Sequence, residues 1–200
     1  MAPQTPSESP RLRDLLSTKA CIDFVNAWLE WRGDAVVPHR GQIRLEQIAR
    51  HLKWLSVLEV RSPEDMVFRL VGTAINDTRG RELTGASLKD LSLPEDWPRR
   101  SAITWACASH PAGLTYRVLF EYSLGPPVFS EYVVLPVFPE TPGAPIQVFT
   151  IREPLKDVSL ALPQLKTRYN HAGEGNRFVD LGAGTPSTSL LSEPLESIAI

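Results

Sequence analysis

The most regular pattern in the chain is an alternation. From residue 114 to 124, Leu114, Tyr116, Val118, Phe120, Tyr122 and Leu124 take one parity, and Thr115, Arg117, Leu119, Glu121 and Ser123 take the other. A period of two marks a half-buried antiparallel strand. Gly125-Pro126-Pro127 turns the chain, and residues 128–138 read as the next strand, with Pro136 placing its end at an edge or a bulge. After a proline-rich loop over 139–145, a last short strand covers 146–152. Two earlier runs of β character, 54–60 and 66–71, flank Ser62-Pro63-Glu64-Asp65 and predict a hairpin.

Helical periodicity occupies much of the rest. Ser9-Pro10 joins a capping serine to a first-turn proline. Leu15, Ile22, Val25 and Leu29 follow at helical spacings, Cys21, Phe24 and Trp28 widen the stripe, and Gly33 stops it. This predicts an amphipathic helix over 10–33. Residues 45–53 predict a short helix with Leu45, Ile48, Ala49 and Leu52 on one side. Thr73 caps another that ends at Gly80, and Ser87 with Asp90 forms a short capping-box pattern. Pro94 reads as the first-turn proline of a helix to about residue 109, with Trp97, Ile103, Ala106 and Cys107 as its apolar face. Residues 1–9 read as a disordered tail, 34–154 as the main domain, and 155–200 as a partly mobile extension.

Composition narrows the function classes. Hydrophobic residues at 42% and charged residues at 22% are the balance of an ordinary globular protein. A net charge of −2 argues against a nucleic-acid partner, and no apolar run is long enough to imply a membrane partner. Two cysteines, Cys21 and Cys107, stand in no CxxC pair, so they read as buried thiols with no metal role. The N-terminus lacks the basic-then-apolar pattern of a signal peptide, and a cytoplasmic protein is expected.

Five antiparallel strands split two-then-three around short helices predict an α+β domain. Hairpin pairing, with the first strand beside the fifth, gives the order 2-1-5-4-3. Helices over one face of a curved sheet leave room for a ligand cavity. Phe68, Leu70, Ile75, Leu83, Trp97, Ile103, Phe120, Val134 and Val148 are the apolar residues expected to face it.

Several stretches carry a family likeness. They are Phe68-Arg69-Leu70-Val71-Gly72-Thr73-Ala74-Ile75, a second strand running into a crossover, and Gly80-Arg81-Glu82-Leu83-Thr84-Gly85 with Ser87-Leu88, a glycine–helix–glycine step. Pro38, Arg40, Ile43 and Ile48 lead into the first strand, and Phe178-Val179-Asp180-Leu181-Gly182-Ala183-Gly184 lies near the C-terminus. On these residues the chain resembles the PAS-domain family, in particular the bacterial single-domain PAS-like group common in alphaproteobacteria. It departs at Arg44-Leu45, where that group carries an acidic residue and a proline. The resemblance implies a PAS-like fold with a sensory or protein-interaction role, exercised through dimers.

Cofactor expectations follow from the same resemblance. A haem-binding relative needs a histidine on a helix facing the cavity, whereas His110 stands beside Pro111 at a helix end and reads as a solvated cap. Flavin-binding relatives carry a cysteine in the crossover. Asn76-Asp77-Thr78-Arg79 has none, which excludes cysteine photochemistry. No cofactor is predicted. Asp77, Arg79, Arg81 and Glu82 read as a solvated helix end rather than a grip on a polar ligand, and Arg117 with Glu131 as a surface pair contributing ~0–1 kcal/mol. Asp180-Leu181-Gly182-Ala183-Gly184-Thr185 looks like a nucleotide-binding glycine loop, but the parallel sheet such a loop needs does not follow, so it reads as a segment folding back on the domain.

Two functions remain. The first is a non-catalytic sensory or interaction module that binds a small apolar ligand or none. It signals to a partner protein through a homodimer built on Leu15, Ile22, Val25, Trp28 and Leu29. The alternative is a small α+β enzyme using Asp77, Glu82 or Glu131 as a buried acid or base.

Overall fold

The computed structural model describes residues 11–120, 127–155, 174–191 and 198–199. Its centre is a twisted sheet of seven strands among those residues: β1 (Leu55–Val60), β2 (Met66–Val71), β3 (Gly113–Phe120), β4 (Val128–Val137), β5 (Ile146–Pro154), β6 (Glu174–Asp180) and β7 (Ile198–Ala199). Their order is β2-β1-β5-β4-β3-β6-β7. The five expected strands form in the expected order 2-1-5-4-3, and the α+β class holds. The sheet is larger than expected because β6 adds antiparallel to the open edge of β3, and β7 pairs parallel with β6. Residues 121–124 of the expected third strand, and Ser9-Pro10 at the expected helix start, lie outside the described residues.

The first helical element is broken in two. Helix α1 (Leu12–Leu15) ends in extended backbone at Leu16, and α2 (Lys19–Arg32) starts after Thr18. Helix α2 buries Ala20, Cys21, Phe24, Val25, Ala27, Trp28 and Trp31. They pack with Leu55, Val57, Val133, Leu135, Phe149 and Ile151 of the sheet in one continuous core. Trp28 Nε1 donates to the Pro136 carbonyl at 3.0 Å. Thus Val25 and Trp28, expected at a dimer interface, are buried in the chain's own core, and only Leu15, Ile22 and Leu29 of that set remain partly exposed. The stripe is wide because a whole sheet face needs covering.

The start of α2 is held from the sheet. Glu131 on β4 is 2% exposed and accepts from Ser17 N, Thr18 N and Thr18 Oγ1 at 2.8–3.1 Å, and from Arg117 Nη2 at 3.1 Å. Glu153, its cross-strand neighbour on β5, accepts from Ala20 N at 2.8 Å. Two carboxylates therefore meet the unpaired N–H groups and positive dipole end of α2. The Arg117–Glu131 pair forms, but its acidic partner is buried rather than on the surface.

The other sheet face carries α3 (Thr73–Arg79), a 3-10 turn over Lys89–Leu91 and α4 (Trp97–Ser109). Gly72, not Thr73, caps α3, and a Cβ at Gly72 would overlap the carbonyl oxygens of Leu52 and Lys53. Gly80 ends α3 in the left-handed region at φ 66°. The first-turn proline of α4 is Pro98, and Pro94 precedes the helix. Residues 45–54 form 3-10 turns kinked at Ile48 rather than an α-helix. No helix forms between Gly80 and Gly85. Instead Gly85 N donates to Phe68 O, Phe68 N to Ala86 O and Leu88 N to Met66 O, so this segment lies along the free edge of β2. The Ser87 hydroxyl accepts from Lys89 N within that turn and does not build a capping box. Pro136 lies inside β4, where it is tolerated because the ladder with β3 stops at Val134. Among the described residues no helix is long and apolar enough to cross a membrane.

Candidate ligand cavity

Between the sheet and α3, the 3-10 turn and α4 lies a partly open cavity of about 200 Å³. Strand periodicity decides which residues reach it. Ser56 and Leu58 of β1 are opposite Thr150 and Val148 of β5, and on the same face Thr150 and Arg152 of β5 are opposite Val134 and Tyr132 of β4. Leu114, Tyr116 and Val118 of β3 continue the same face, and Asn176 of β6 extends it. The helices contribute Ile75 and Arg79 from α3, and Arg100, Ile103, Thr104 and Cys107 from α4.

Six of the nine residues expected at the cavity line it: Phe68, Ile75, Leu83, Ile103, Val134 and Val148. The other three do not. A bulge between β1 and β2 pairs Leu58 with Phe68 but Val57 with Leu70. Leu70 is therefore turned off the cavity face and is 37% exposed, and Val71 takes its place. Trp97, at the first turn of α4, packs on the neighbouring apolar cluster instead. Phe120 shares the cavity face of β3, but its ring centre lies 5.2 Å from the Arg152 guanidinium rather than on the open space.

Sequence reasoning missed the charged lining. Arg152, on the face of β5 that carries Val148 and Thr150, is 5% exposed. Its Nη1 donates to Tyr132 Oη at 3.2 Å and its Nη2 to Thr78 Oγ1 at 2.6 Å, while Nε finds no partner. Trp54 and Phe120 flank the guanidinium at 5.7 and 5.2 Å. Arg100 Nη1 donates to Leu91 O and Ser92 Oγ. Arg79 reaches in from the last turn of α3, so part of the charge run read as a solvated helix end belongs to the cavity, whereas Asp77, Arg81 and Glu82 are exposed. A signal was present for Arg152 alone: it continues a period-two row of otherwise inward positions.

Burial lowers the Arg79 pKa to about 10, with the like charges of Arg152, Arg100 and Arg81 adding to it against a raising contribution from Tyr132. Burial also lowers that of Arg100. Tyr116 and Tyr132 stack with ring centres 4.7 Å apart and planes 11° from parallel. Burial, then the neighbouring Tyr132, pushes the Tyr116 hydroxyl above its ordinary range. Burial alone raises the Cys107 thiol to about 12. Tyr116 thus stays protonated and neutral near pH 7, able to donate or accept.

The carboxylates proposed for acid–base work lie elsewhere. Asp77 and Glu82 are exposed, with Glu82 accepting from Leu83 N, Thr84 N and Asn76 Nδ2. Glu131 points to the opposite sheet face, at the start of α2. His110 is exposed and does not line the cavity. Among the described residues no three His, Cys, Asp or Glu side chains converge as metal ligands. The glycine-rich segment near the C-terminus follows β6, with Asp180 Oδ1 accepting from Gly182 N and Gly184 N and Arg32 donating to the Leu181 carbonyl. It folds back on the domain and closes its own turn.

Comparison with curated proteins gives no match. Comparison with protein families gives a match to the PAS domain over residues 16–151, which takes in β1 to β4, most of β5 and every helix that frames the cavity. Three of the four stretches on which the resemblance rested lie within it, and 178–184 lies outside.

Proposed function

The chain belongs to the PAS-domain family, and from that premise we propose that it is a non-catalytic sensory or interaction module whose cavity binds a small molecule. The single observation that carries this reading is the cavity itself: about 200 Å³ of space framed by sheet and crossover helices, in a chain whose other sheet face is densely packed. Close packing is the default for interiors, so a retained space of this size needs a reason. An engineered apolar cavity of roughly 150 Å³ takes up benzene. A ligand one ring or one short chain in size is therefore of the right volume.

Helix α2 is the proposed output element. Strands β4 and β5 carry Tyr132 and Arg152 toward the cavity, and the adjacent Glu131 and Glu153 toward the start of α2. A ligand that prefers one arrangement of those strands biases the helix attached to their far side. The proposed homodimer, and contact with a downstream signalling partner, use the outer side of this element around Leu15, Ile22 and Leu29. We propose a cytoplasmic setting for it.

Native mass spectrometry of the purified protein tests both parts together. The expected result is a dimer whose subunits carry, or take up from a panel of small apolar compounds, one added mass that is lost on denaturation. Bare subunits that no compound stabilises against heat would overturn the ligand reading. A monomer whose mass is unaffected by Ile22→Glu and Leu29→Glu would overturn the dimer.

A further inference from the structure

The chemistry of the lining specifies more than an apolar guest. Arg79, Arg99, Arg100 and Arg152 line the cavity, against one carboxylate among the described residues, Asp96. Asp96 stands 4.0 Å from Arg99. Arg152 is the most buried of the four, and among the described residues no carboxylate stands within ion-pair distance of it. Its hydrogen bonds go to two hydroxyl oxygens, and its Nε–H is unmatched. A buried guanidinium without an anion is costly to keep. Arg79 and Arg100 come from two different helices to the same space, and each also has partners of its own. Burial depresses both of their pKa values, and for Arg79 the like charges of Arg152, Arg100 and Arg81 add to it.

We propose that the cavity takes a small organic acid, with its apolar body against Leu58, Phe68, Val134 and Val148 and its carboxylate turned to Arg79, Arg100 and Arg152. This rests on the ligand-binding reading above and names the ligand class. A carboxylate entering this space meets a field of converging positive charge in a partly desolvated setting, where attraction is much stronger than in water. Planar guanidinium forks match the carboxylate geometry. A primary amine of the same shape meets the same field with the wrong sign. An alcohol gains the apolar contacts but not the charge.

The test compares isosteres on the full chain by calorimetry and thermal shift: hexanoate and phenylacetate against 1-hexanol, 2-phenylethanol and hexylamine. The expected result is binding of at least one acid tenfold or more tighter than its alcohol, with no detectable binding of the amine, and with the acid's advantage shrinking as salt is raised. Arg152→Gln and Arg100→Gln should each remove most of that advantage while leaving alcohol binding in place. Because Arg152 is buried, that variant is first checked for native circular dichroism. The half-buried Arg100 and the comparison on the unaltered protein test the idea independently. Equal binding of acids and alcohols would overturn the acid assignment and leave the cavity reading standing. Tight acid binding that survives both variants would place the acid elsewhere and overturn it too. No binding of any probe would count against both.

Discussion

A few single residues set the local energetics. Trp28 fills the core and also satisfies the Pro136 carbonyl. Trp28→Phe keeps most of the apolar volume and strands that acceptor, so urea unfolding should show a loss of about 1–3 kcal/mol. Asp23 accepts from His51 Nε2 at 2.8 Å and pairs with Lys19 and Arg50 at 3.2 and 3.1 Å. Burial works against its ionisation, but the His51 and Lys19 hydrogen bonds and the neighbouring cations prevail and hold its pKa below the ordinary value. A carboxylate depressed in the folded state contributes fully above its unfolded pKa, about 3.9, and loses that contribution as pH falls through the folded value. Asp23→Asn should therefore lower stability at neutral pH and change it little in strong acid. Denaturant titrations of both proteins at the two pH values check this.

Among the elements, the junction of α2 with the sheet is the most exacting. Four donors from two elements converge on one buried carboxylate, Glu131. Glu131→Ala leaves Arg117 and the start of α2 uncompensated, and the expected cost is about 3–5 kcal/mol, as for breaking other buried pairs. Native-state hydrogen exchange should show the amides of residues 17–20 losing protection first, while those of β4 and β5 outlast them. Equal loss across the sheet would mean that the cap holds the whole fold and not the helix alone. The helix expected over 10–33 was legible in its apolar spacing. The break at 16–18 was not, because the anion that organises it comes from residue 131, more than a hundred positions away.

On the scale of the whole molecule, both exposed flanks of the five-stranded core are covered. The 85–88 segment lies on the β2 edge, and β6 pairs with β3. Open edges invite pairing with other chains. Phe178 and Val179 of β6 are fully buried, Phe178 in the apolar cluster beside the cavity. Phe178→Ala should cost about 3–5 kcal/mol and loosen β6. Light scattering should then show concentration-dependent association as the β3 edge opens. Loss of stability without association would show that β6 serves the core but not the edge.

Strand positions and their order came from the sequence alone, because alternation and turn residues are local and hairpins leave few ways to join five strands. The apolar majority of the cavity was legible for the same reason: residues two apart share a face. What local pattern could not supply was set by contacts distant in sequence. The bulge that exchanges Leu70 for Val71 depends on the partner strand. The pairing of β6 depends on the free edge of β3, some sixty residues earlier. The charged lining depends on three elements at once, since a strand, a helix end and a helix start bring Arg152, Arg79 and Arg100 to one space. Each arginine, taken in its own segment, is an ordinary polar residue near an element's end. Only their burial together makes them a site, and burial is a property of the packed molecule.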